Sequence, residues 1–166
     1  MKAYWVKQLW VLIFLVLLTV VANFNMLQSF LTIETTGLKQ LALFLVISII
    51  LFACNQLLYN YAKKEPQFMQ HSIWSKMFII LPIWLMISFV IFITLFFMTP
   101  LGDIMSQYAW SMFIVIYYFL FFMNLLVLSI VHKFIDSPAK IEKKLLITWA
   151  SSTLIVAIIL FMLPSL

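Results

Sequence analysis

Five uninterrupted apolar runs, none holding a Lys, Asp or Glu, constrain this chain of 166 residues more than any other feature. They cover Leu9–Leu31, Gln40–Tyr61, Met77–Met98, Tyr108–Val131 and Leu145–Leu163. Each is close to the ~20 residues that a helix needs to cross a hydrocarbon layer about 30 Å thick. Lipid offers no partner to a free N–H or C=O, so such a run must close its backbone bonds within itself, as a helix. A membrane barrel would show short alternating segments, whereas these runs are apolar on every face. The predicted fold is all-α, a polytopic integral membrane helix bundle that forms one transmembrane domain of five spans.

Composition agrees and excludes several functions. The chain is 66% hydrophobic and 9% charged, against about 45–50% and about 25% in soluble domains. Too few polar side chains remain to cover a water-facing surface, so an ordinary soluble enzyme or a nucleic-acid binder is ruled out. The ten basic residues are all Lys, which leaves no Arg fork for phosphate recognition. The single Cys54 excludes an internal disulfide and a Cys-rich metal site. Lys without Arg, alongside abundant Ile, Phe and Asn, suits an AT-rich bacterial genome.

The lysines also predict an orientation. Lys2 and Lys7 precede the first run, Lys63, Lys64 and Lys76 lie in the second loop, and Lys133, Lys140, Lys143 and Lys144 lie in the fourth. The first and third loops hold only Lys39, with Glu34 and Asp103. Cytoplasmic loops collect Lys, so the N-terminus is expected inside the cytoplasmic membrane and the C-terminus outside. Tyr4, Trp5, Trp10, Tyr59, Tyr61 and Trp74 then fall at the inner headgroups, and Tyr108 and Trp110 at the outer ones. Trp84, Tyr117 and Tyr118 fall deeper and need partners from other helices. The start also fits a cleavable signal peptide, with Val20 and Ala22 at its cleavage site, which would leave four spans. The apolar run continues past Ala22 to Leu31, which favours a first span.

Within the second loop, Pro66 is followed by Phe68, Met69, Ile73 and Trp74. An amphipathic turn in the interface and a solvated connector both fit that pattern.

Motifs for chemistry are missing. Ionisable residues inside a membrane usually mark ion paths, proton relays or catalysis, and the runs contain none. There is no His-Glu-x-x-His cluster, no Gly-x-Ser-x-Gly elbow and no phosphate-binding glycine loop. His71, His132 and Asp136 sit at the predicted inner surface, where a lipid-modifying activity or a metal site would have to be built. An interfacial flank is the simpler reading of them. No cofactor, nucleotide or nucleic acid is expected. No run contains Gly, and only Pro82 interrupts one, which argues against the broken helices of many transporters.

What remains inside the runs is a small set of neutral polar residues. Thr19, Asn23, Asn25, Gln28 and Ser29 occupy the outer half of the first. Cys54, Asn55, Gln56 and Asn60 lie towards the inner end of the second. Tyr117, Asn124 and Ser129 mark the fourth, and Thr148, Ser151, Ser152 and Thr153 the fifth. Asn23, Asn55, Tyr117, Asn124 and Ser152 are the candidate interhelical polar contacts, with a polar pocket for a neutral ligand as the alternative. Cys54 reads as a small apolar filler. These features point to a non-enzymatic membrane protein acting through protein partners. It would serve as an accessory subunit of a transport or secretion system, or as an immunity or regulatory protein. A small oligomeric transporter or channel unit for a neutral or lipid-like substrate is the alternative.

Overall fold

The computed structural model describes residues 2–23, 36–135 and 140–162, and across them the chain is an all-α helical bundle. In chain order the elements are α1 (Lys2–Asn23), α2 (Thr36–Lys64), a 3-10 turn (Pro66–Gln70), α3 (Trp74–Met98), α4 (Leu101–Gln107), α5 (Ala109–Phe134) and α6 (Ile141–Met162). All but α4 and the 3-10 turn are long and apolar enough to cross a membrane, which makes this a multi-pass membrane protein.

The helices extend past the apolar runs. α1 begins at Lys2 rather than Leu9, α2 continues to Lys64, and α6 begins at Ile141 rather than Leu145. Lys and Glu are good helix formers, so the helical backbone propagates through them once the apolar part has nucleated it. The far end of the first predicted span, with Asn25, Gln28 and Ser29, lies outside the described residues, as do Glu34 and Asp136.

Between α3 and α4 the chain breaks at Thr99, whose extended backbone donates its N–H to the Leu95 carbonyl at 3.1 Å. Pro100 follows and cannot continue the ladder. Pro82 lies beyond the first turn of α3, yet the helix runs through it. A proline there removes the bond to the carbonyl four residues back, that of Phe78.

α2 and α5 form the centre. α2 packs on α1, α5 and α6, while α5 packs on every other helix. α3 has α5 and the short α4 as its main neighbours. Leu15 joins Ile50, Ala53 and Cys54 between α1 and α2. Leu51 joins Val156 and Leu160 between α2 and α6. Leu58, Trp74, Leu128 and Leu145 close one end of the bundle.

Contacts show that successive long helices alternate in direction. Lys64 reaches Tyr4, Gln8 reaches the Leu57 carbonyl, and Glu142 reaches Tyr59. One end of the bundle therefore collects Lys7, Lys63, Lys64, Lys76, Lys133, Lys143 and Lys144, while Lys39 and Asp103 lie at the other. At the lysine-rich end the loop is a packed turn rather than a solvated connector. Phe68 stacks edge-on against Tyr61 and Trp74, and the Trp74 indole donates to the Phe68 carbonyl at 2.6 Å. Trp74 is 3% exposed, enclosed by protein at this end of the bundle.

Candidate functional site

The most enclosed polar group lies where α2, α5 and α6 meet. Asn55 Nδ2 donates to Asn124 Oδ1 at 3.3 Å, and Asn124 Nδ2 donates back to Asn55 Oδ1 at 3.2 Å. Ser152 Oγ adds a third bond, donating to Asn124 Oδ1 at 3.2 Å. The second Asn55 amide hydrogen goes to the Leu51 carbonyl at 3.3 Å. Asn124 and Ser152 are 0% exposed. Buried amides need such partners, because an unpaired one costs about 1–3 kcal/mol.

Helix spacing explains why these residues meet. On α6 the buried positions Lys144, Thr148, Ser152, Val156 and Leu160 recur every four residues and form one inward stripe. On α2 the buried residues Leu51, Asn55 and Leu58 share a face in the same way. Asn124 sits one turn before the buried Leu128 on α5.

Tyr117 belongs to a different joint. Its hydroxyl donates to the Leu15 carbonyl at 3.1 Å and accepts from Thr19 Oγ1 at 3.1 Å, tying α5 to α1. The structure therefore brings Asn55, Asn124 and Ser152 together and places Tyr117 with Thr19. Asn23 closes α1, and its side chain lies outside the described residues.

Two other interhelical bonds involve Gln8 and Trp149, which the sequence did not single out. Gln8 Nε2 donates to the Leu57 carbonyl at 3.1 Å, and the Trp149 indole donates to the Ser48 carbonyl at 3.2 Å. Trp84 Nε1 meets the Tyr118 hydroxyl at 2.8 Å, and Ser88 lies 2.8 Å from the same oxygen. The last pair supplies the partner that these deep aromatics needed, between α3 and α5.

Lys144 is the main departure from the sequence expectation. It was expected in a loop, but it lies in the first turns of α6 and is 2% exposed, with its Nζ 3.3 Å from His132 Nδ1. His132 also packs on Trp74, with ring centroids 5.6 Å apart. The readable signal was the four-residue spacing from Lys144 to Thr148 and Ser152. His71 is occupied elsewhere, accepting the Ile73 N–H at 3.2 Å. Among the described residues, no three His, Cys, Asp or Glu side chains gather as a metal site would require.

The chemistry of the central cluster is that of neutral amides. The hydroxyl of Ser152 donates to an amide oxygen, not to a base, so the cluster supplies no activation of a nucleophile. Its geometry is that of an interhelical clasp. A second feature lies to one side, a cavity of about 640 Å3 between α1, α2 and α5, open laterally. Leu12, Val16 and Val20 line one wall, Ile114 and Phe121 the other, and Cys54 and Leu57 lie at its back. Cys54 is 3% exposed. No family model, curated protein or solved structure matches the chain.

Proposed function

We propose that this is a non-enzymatic protein of the bacterial cytoplasmic membrane that works through contact with a partner membrane protein. It would act as an accessory subunit of a transport or secretion system, or as an immunity or regulatory protein. The observation that carries this reading is the bare length of α3. Only Trp74 and Leu81 of this helix are buried, and its main support comes from α5 and α4. Ile83, Ile87, Val90 and Phe97 stand exposed at helical spacing, a seam on which a second transmembrane helix can lie.

The polar core supports the same reading. The amide sides of α2 and α5 and the hydroxyl stripe of α6 bond to one another within one chain. Their polar groups are thus satisfied inside the bundle. The faces left over are the apolar outer ones. The lysine-rich end is assigned to the cytoplasm by the positive-inside rule, which puts the α1 N-terminus inside.

The test is site-directed crosslinking in cells. In a Cys54→Ala background, single photoreactive cysteine adducts are placed at Ile83, Ile87 and Val90. A discrete adduct to one other protein at these positions, absent from core position Leu128, is the expected result. Adducts of the chain only with itself favour the competing reading, a homo-oligomeric transporter or channel unit for a neutral or lipid-like substrate. Adducts to lipid alone at all three positions refute partner contact through α3.

A further inference from the structure

We propose that the lateral groove between α1 and α5 is a seat for the acyl chains of an anionic phospholipid, with Lys64 holding its headgroup. The groove follows α1 from Leu12 to Val20, which is about 12 Å of helix at 1.5 Å per residue. Its volume of about 640 Å3 over that length gives a cross-section of at least about 50 Å2. Saturated chains in contact are about 4 Å apart, and two of them side by side fit.

The lining matches that occupant. Apart from the Trp110 indole, and from the hydroxyls of Thr19, Tyr117 and Tyr118, which are already bonded to protein groups, the walls are hydrocarbon, aromatic ring or thiol. No water can stay in such a groove, and the bilayer presents lipid chains at its open side.

Charge decides which lipid. Leu57, at the back of the groove, lies two turns before Lys64 at the end of α2. There the Lys64 amine stands 4.9 Å from the Tyr4 ring centre and 5.9 Å from that of Trp5. Trp5 lies on the same side of α1 as Leu12 and Val16, two turns before Leu12. The exposed Lys64 ammonium, set between these amphipathic rings about 10 Å along the helix axis from the chain site, suits a phosphodiester at headgroup depth. The carbonyl end of α2 adds no positive charge of its own, so the attraction comes from the lysine.

The experiment uses the full chain in mild detergent, titrated with phosphatidylglycerol or phosphatidylcholine and followed by native mass spectrometry and thermal unfolding. One phosphatidylglycerol per chain is expected, bound roughly 5-fold more tightly than phosphatidylcholine. Lys64→Gln should bind both lipids equally, at the weaker level. Val16→Trp fills the groove from the α1 wall and Ile114→Trp from the α5 wall, and each should lose both lipids. Unfolding of each variant without lipid shows whether it has folded, and having two opposite walls guards against one failing. Equal binding of the two lipids by the unaltered chain overturns the proposal. So does retention of lipid by a folded groove-filled variant. A photoreactive group at Ile114 that couples to a polypeptide rather than to lipid also overturns it, and would return the groove to the partner.

Discussion

Asn55 and Asn124 exchange hydrogen bonds in both directions across the α2–α5 interface, at 3.3 Å and 3.2 Å, with Ser152 of α6 closing the group. Three helices are thus joined at one buried point. Lipid tails are as apolar as Leu, so such bonds, together with close packing, do more to choose helix neighbours than apolar burial does.

Asn124→Leu removes the partner of two side chains at once and strands Asn55 and Ser152. Interhelical bonds in membranes average about 0.6 kcal/mol. Two unsatisfied groups raise the expected loss to about 1–2 kcal/mol. Asn55→Leu combined with Asn124→Leu should cost less than the two single changes added together. Unfolding titrations in mixed micelles check this, and strict additivity would show that the amide pair is not coupled.

Ser152→Ala removes one bond to an oxygen that keeps its other donor, Asn55. A smaller loss follows, about 0.5 kcal/mol in the same titration. If Ser152→Ala proved as harmful as Asn124→Leu, the hydroxyl rather than the amide pair would be the main tie among the three helices.

Tyr117→Phe unties α1 from α5 without altering the three-helix clasp. Its expected effect on global stability is about 0.6 kcal/mol, but its local effect is larger. Amide exchange in α1 around Leu15 and Thr19 should quicken, while that around Leu128 stays as before. Equal acceleration in both places would argue against a separable α1 joint.

Trp74 and Trp5 should report opposite surroundings, since they are 3% and 64% exposed. A variant retaining only Trp74 should resist both aqueous acrylamide and brominated lipid. A variant retaining only Trp5 should be quenched readily. Comparable quenching of the two would disprove the packed turn over Pro66–Gln70.

Cys54 gives a probe of unfolding without further mutation. At 3% exposure among Leu15, Ile50 and Ala53, it should ignore a maleimide in the native bundle and react on denaturation. Rapid labelling of the native protein would mean that α1 does not cover it.

The sequence alone determined that five segments are helices of membrane-crossing length. The reason is local: a run without charge must bond its own backbone in lipid, and only a helix does so within one segment. It also segregated the lysines into alternate connections, and alternation of helix direction gathers them at one end. Asn55, Asn124 and Ser152 were visible as polar residues in apolar runs, but their mutual contact was not. Each run is apolar all round, so no amphipathic stripe says which side faces protein and which faces lipid. Only the lateral arrangement of α2, α5 and α6 decided that these three meet and that Tyr117 turns instead to Thr19. The same arrangement drew Lys144 and Trp74 inside, because α2, α5 and α6 converge at the lysine-rich end and enclose what lies between them. The groove beside α1 likewise belongs to no single segment, since its walls are contributed by three helices.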